Sequence, residues 1–245
     1  MPEPLKNSSA SYWRLSRAHR YSLLFALPLL LAYEMLEIVA PIRMQGGVIR
    51  NGADVILTSL FTALLGVRGP SVFMAVVIGV SVWLIWRDKP SGRPRPVVFG
   101  GMLLEAVALA LVFGLVVGTA TARLVGPLRS LAAPDAAESE VARLTLSLGA
   151  GLYEELLFRV IIVSALAHAF RLLGFGRLFA GAGATVIGAL LFSAFHYMGP
   201  LGEPLRLESF VFRALAGVAF SLLYLTRGFG ITAWTHALYD MAILL

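Results

Sequence analysis

The chain has 245 residues, of which 58% are hydrophobic and only 14% charged, and its mean hydropathy is +0.82. A soluble domain is about 45–50% apolar and ~25% charged, so this composition excludes an ordinary soluble enzyme and indicates a polytopic membrane protein. With no cysteine there are no disulfides, thiol nucleophiles or thiolate metal sites, and the net charge of +6, carried mostly by loop arginines, reports orientation and contact with anionic lipid, with no nucleic-acid partner.

Residues 1–20 read as a polar, basic tail with Lys6, Arg14, Arg17 and Arg20, and with Tyr12 and Trp13 as headgroup-level anchors. Tyr21 to Ala40 is the first span; it follows the basic tail, lacks an A-x-A-like end and reads as retained, with Pro28 a tolerable kink point. Glu34 and Glu37 share one face near its far end, where they either line a cavity or meet the interface. Residues 41–54 read as a Gly-rich loop. Val55 to Val67 has thirteen residues against the ~20 that a span needs, so it is expected to be interfacial or re-entrant. Spans are then expected over 71–86 and 97–118, separated by a loop rich in Pro and cations, 87–96. Glu105 in the second of these is a pairing candidate for an intramembrane arginine. A polar connection over 119–140 precedes spans at 141–170, 178–198, 209–225 and 229–245. The 178–198 span is rich in small residues that let helices approach closely, and Arg213 is expected to reach out to the interface. The tail and the 87–96 loop carry four cations each, which places both in the cytoplasm and requires an even number of crossings between them. The expected fold is therefore all-α: a polytopic transmembrane helical bundle of about seven spans plus one short interfacial or re-entrant helix, a single membrane domain over 1–245. That topology puts His196 near the outer end of its span and suits a bacterial plasma membrane with the N-terminus cytoplasmic.

Chemistry concentrates in Gly151-Leu152-Tyr153-Glu154-Glu155-Leu156-Leu157-Phe158-Arg159. An ionisable group at bilayer depth costs at least ~2.5–3.5 kcal/mol, and here three fall within six residues. At ~100° per residue Glu155 and Arg159 share a helix face and can pair, while Glu154 is turned away and left to react. Two later spans add Phe192-x-x-x-His196 and His236-x-x-x-Asp240, each pair on one helix face. Each of these has a structural explanation by itself: a buried ion pair that fixes packing, a histidine satisfied by a carbonyl, a His–Asp packing bond. Together they put ionisable groups on three helices that can meet in one bundle interior.

In this order, Glu-Glu-x-x-x-Arg, Phe-x-x-x-His and His-x-x-x-(Asn/Asp) over residues 141–245 resemble the motifs of the CPBP family, the CAAX proteases and bacteriocin-processing enzymes, also called the Abi family. These are glutamic-type intramembrane endopeptidases related to the Ras-converting enzyme. The resemblance implies that Glu154 is the general base for a water held by His196, that His236 and Asp240 serve the oxyanion, and that Glu155, Arg159 and Phe192 support the site. It implies a protein or peptide substrate cut near its C-terminus or membrane segment, no cofactor, and membrane lipids as the other partner. Prenyl-protein proteases of the family typically carry Asn where this chain has Asp240. An ionised Asp cannot donate to an oxyanion, so Asp240 is expected to orient His236 as an acceptor. The alternatives are a zinc protease using Glu154, His196, His236 and Asp240, a proton-coupled transporter, and a non-catalytic immunity protein. No H-E-x-x-H occurs, no serine lies in a G-x-S-x-G context, and no related halves mark a transporter.

Overall fold

In lipid every backbone amide and carbonyl must be paired within its own segment, which makes each long apolar run a helix. The computed structural model describes residues 8–44, 47–88, 93–126, 140–199 and 202–244. Lys6 of the tail, Lys89 in the cation-rich loop and most of the 119–140 connection lie outside them. The helices are α1 (Ser8–Ser16), α2 (His19–Val39), α3 (Gly52–Leu65), α4 (Gly69–Arg87), α5 (Pro96–Val125), α6 (Glu140–Gly149), α7 (Ser164–Leu172), α8 (Arg177–Phe195), α9 (Leu207–Arg227) and α10 (Phe229–Leu244). Two π-helical stretches, Ala150–Glu154 and Leu156–Val163, join α6 to α7 as one helical run. A small antiparallel hairpin, β1 (Ile42–Met44) with β2 (Gly47–Ile49), occupies the expected loop after α2. Among the described residues five helical runs are long and apolar enough to cross a membrane: His19–Val39, Gly52–Arg87, Pro96–Val125, Arg177–Phe195 and Leu207–Arg227. The chain is an integral membrane protein with a polytopic helical fold.

The short run at 55–67 forms most of α3, which leads almost directly into α4. Tyr33 Oη donates to Asp54 at the start of α3 at 2.9 Å. Phe73, early in α4, packs on Phe61 and Tyr153 with ring centroids 5.4 and 6.3 Å apart. Asp88, past the end of α4, accepts from the backbone N–H of Arg20 at 3.0 Å. The beginnings of α3 and α4 thus both sit at the far end of α2, and α4 alone returns to its start.

That starting end of the bundle is fastened by one ionic cluster. Arg227 at the end of α9 meets Glu105 of α5 through Nε and Nη2, at 2.5 and 2.7 Å. Its guanidinium lies 4.0 Å from the Trp13 ring and donates to Ser16 at 2.8 Å. Tyr12 donates to the same carboxylate; burial first, and Glu105 second, push its hydroxyl up to about 12, so it remains the donor. Glu105 is therefore paired by the kind of arginine its depth called for. Gly228 turns the chain from α9 into α10 at a φ of 82°, a left-handed conformation that favours glycine. The larger of two apolar clusters runs from Leu29 and Tyr33 of α2 through Phe113 of α5, Phe158 and Phe192 to Phe220 and Ala237. Leu104, Leu111 and Leu115 of α5 face outward, as lipid-facing positions should.

Arg213 departs from its expected place. It is buried, with Nη1 on the Tyr197 hydroxyl at 3.1 Å and Nη2 on Glu203. The reason is register: α9 starts at Leu207, so Arg213 stands more than a turn inside the helix. The turn after α8 folds Glu203 over it, held by a backbone bond from Glu203 to His196.

Candidate active site

The motif helix is not regular where it carries Glu154 and Glu155. Its turns there are π-helical, one residue wider than α, a rare geometry that recurs at functional sites. The Ser164 hydroxyl bonds to the Arg159 carbonyl five residues back at 3.1 Å. Gly151 opens one side of this widened segment: a Cβ there would run into the Ala233 carbonyl and Ala237 of α10. Backbone-to-backbone packing at that point brings α10 close enough for His236 to reach Glu155.

The two carboxylates then separate in environment. Glu155, fully buried, takes Arg159 Nη1 at 3.1 Å and His236 Nδ1 at 2.7 Å on the same oxygen, Oε1. The Arg159 guanidinium lies over Phe192 at 4.4 Å and Phe220 at 5.3 Å, and reaches toward the Gly217 carbonyl at 3.5 Å. Such cation–aromatic contacts are worth about 0.5–2 kcal/mol each, more where water is excluded. The His236 ring stacks on Phe220 with centroids 4.4 Å apart. Arg159 thus pairs with Glu155 as the helical spacing anticipated.

Glu154 is arranged differently. Its Oε1 accepts from Asn51 Nδ2 at 2.9 Å, while Oε2 is buried with no hydrogen-bond partner among the described residues. That second oxygen faces His196 Nε2 at 3.9 Å. His196 Nδ1 lies 2.9 Å from the Phe192 carbonyl. A carbonyl only accepts, so Nδ1 carries a proton there, and in the neutral ring Nε2 is an open acceptor. A gap of 3.9 Å is too long for a direct hydrogen bond and short enough for one water to touch both atoms. Phe192 packs edge-on against His196, centroids 4.9 Å apart, and fixes the ring from the side.

All seven residues singled out from sequence (Glu154, Glu155, Arg159, Phe192, His196, His236 and Asp240) therefore meet in one interior. Asp240 does not hydrogen-bond the ring it is expected to orient. Its Oδ2 is 3.6 Å from His236 Nε2, beyond hydrogen-bond length, and the acceptor that orients the ring is Glu155 on the other nitrogen. Among the described residues no group of three or more His, Cys, Asp or Glu side chains is disposed to hold a metal ion.

One neighbour that touches the site, Asn51, was not singled out from the sequence. Asn51 lies 103 residues before Glu154, in a stretch read as loop; an Asn ahead of an apolar run signals where a helix begins, not what its amide will face. Glu34 takes both Arg50 Nη2 contacts, at 3.0 and 3.1 Å, and the Tyr153 hydroxyl at 2.6 Å. Of the two readings of Glu34, an inward-facing polar cluster beside the site is the one observed.

The family model described as Type II CAAX prenyl endopeptidase Rce1-like matches residues 138–242. No curated protein and no solved structure matches the chain. The matched interval holds all seven site residues and leaves Asn51 outside.

Proposed function

We propose, from the match of residues 138–242 to that family model, that the chain is an intramembrane endopeptidase of glutamic type in which Glu154 activates the water. The substrate is a protein or peptide held at the membrane and cut near its C-terminus or membrane segment. One observation carries the reading: a free carboxylate oxygen and a free ring nitrogen face each other across 3.9 Å, each with its partner atom tied elsewhere.

In this mechanism a water between Glu154 Oε2 and His196 Nε2 gives one proton to Glu154 as its oxygen attacks the scissile carbonyl carbon. His196 Nε2 accepts the second O–H and aims the lone pair. The carbonyl becomes a tetrahedral oxyanion. His236, when both ring nitrogens are protonated, donates Nδ1–H to Glu155 and offers Nε2–H to that oxygen. Asp240, beyond direct reach of the ring, supports the positive charge on it. Glu154 then delivers its proton to the departing amine nitrogen as the C–N bond breaks, leaving a carboxylic acid, which keeps the water's other proton, and a free amine. Glu155 and Arg159 keep the two imidazoles in place. No cofactor enters these steps.

The test uses the full chain in liposomes with a quenched fluorescent peptide bearing a farnesylated cysteine near its C-terminus, and a proteomic comparison of membranes. Glu154→Gln is expected to lower kcat/KM by about 10³-fold at unchanged membrane level, and cleavage by the unsubstituted chain is expected to persist in strong chelator. Equal processing by both chains, in vitro and across membrane precursors, would dispose of the enzyme and leave a binding protein. Lys/Arg counting further places the end carrying Arg20, Arg95 and Arg227 in the cytoplasm and opens the site toward the outer face of a bacterial plasma membrane. Met198, exposed just past His196, reports this: a Met198→Cys chain, otherwise cysteine-free, should react with an impermeant maleimide from outside the cell. Labelling only from the cytoplasmic side reverses the orientation.

A further inference from the structure

We infer that Asn51, contributed by the N-terminal half of the chain, is a positioning residue for the base Glu154. The inference rests on the proposed hydrolytic mechanism for its meaning, and on geometry independent of that mechanism for its support.

The orientation of the Asn51 amide is not arbitrary. Its Oδ1 accepts the Ala53 N–H at 2.9 Å as the N-cap of α3. Only the oxygen can accept that bond, so Nδ2 must be the group turned to Glu154, at 2.9 Å. One side chain thus starts α3 and holds the base. The consequence falls on the choice of oxygen: with Oε1 engaged, Oε2 is the atom left facing His196. A carboxylate without this donor can rotate about its last torsion, which is broad and nearly two-fold.

Asn51 is itself gripped. Its backbone N–H donates to the Tyr33 hydroxyl at 3.2 Å, and Tyr33 donates onward to Asp54 at 2.9 Å. Arg50, the preceding residue, joins Asp54 to Glu34, and Glu34 accepts from Tyr153 at 2.6 Å. Tyr153 and Glu154 are consecutive, so α2 and α3 hold two successive residues of the motif helix from one side. Buried networks of this kind cost heavily when half-satisfied, so they specify a single arrangement. The other charged and titratable groups around Glu154 are His196 from α8, His236 and Asp240 from α10, and Glu155 and Arg159 on its own helix. None of them hydrogen-bonds Oε1.

The experiment uses the full chain in liposomes and two substitutions. Asn51→Ser keeps a good cap acceptor for Ala53 but cannot reach Glu154. Asn51→Asp keeps shape and cap while replacing the donor with a second carboxylate. In both, kcat on the farnesylated peptide should fall about 10–100-fold with KM changed less than about two-fold, since a misplaced base spoils the chemical step and not binding. A loosened fold would move KM and the thermal midpoint as well. Infrared difference spectra, chain minus its Glu154→Gln counterpart, isolate the Glu154 carboxylate bands; these should shift in the Asn51→Ser background. Unshifted bands, or unchanged kcat in the folded Asn51→Ser and Asn51→Asp proteins, overturn the assignment. If the unsubstituted chain cleaves no better than Glu154→Gln, the proposed hydrolysis fails while the infrared result still decides whether Asn51 holds Glu154.

Discussion

Replacing Arg159 by methionine is expected to cost about 3–5 kcal/mol of stability and to abolish cleavage. Arg159 and Glu155 are 1% and 0% exposed, and they form an ion pair at 3.1 Å. Methionine fills much of the space between Phe192 and Phe220 but leaves the Glu155 carboxylate with His236 as its sole remaining ionic partner. A buried charge that has lost its main counter-ion is far more damaging than the pair was stabilising, because the desolvation cost stays and the compensation goes. The paired substitution Glu155→Leu with Arg159→Met separates the two contributions. It removes both charges together, so the thermal midpoint in detergent should recover most of the loss. Activity should not return, since His236 Nδ1 then has no acceptor and the ring is no longer aimed. A single variant that melts with the parent chain would show that the pair does not hold the core. A paired variant that regains cleavage would show that Glu155 does not anchor His236.

What could be read from residues alone, and what could not, divides by range. Composition and run length were enough for a helical membrane protein, because bilayer thickness acts on each segment separately. The Glu155–Arg159 pair was legible because i and i+4 on one helix are neighbours in either α or π geometry. His196 and His236 were legible as candidates, since charge at bilayer depth needs a reason. The widened turn at Ala150–Glu154 was not. It lies where α10 packs against Gly151, a contact between residues far apart in the chain. Asn51 was hidden for the same reason, and so was the preference of His236 for Glu155 over the nearer-in-sequence Asp240. Arg213 was misplaced because snorkelling assumes free interface within a turn, whereas the chain supplies Glu203 and Tyr197 inside.

Glu154→Gln and His196→Ala are each expected to lower kcat/KM by about 10³-fold, and the two together by about the same factor instead of the ~10⁶ that independent contributions would multiply to. The reason lies in the geometry. Both side chains address a single water, one by taking its proton and one by accepting its other O–H, across a gap of 3.9 Å. Once either hold is lost, that water is no longer placed for attack, and the remaining residue has nothing to act on. His236 stands on the other side of the reaction, where the carbonyl oxygen gains charge, held by Glu155 and stacked on Phe220. His236→Ala should therefore combine with His196→Ala more nearly as a product, because a badly placed water and an unstabilised oxyanion are separate losses. Single-turnover rates on the farnesylated peptide, taken for the three single and two double variants, distinguish these cases. Multiplicative loss in the Glu154/His196 pair would mean that the two residues serve different steps, and the bridging water would have to be given up.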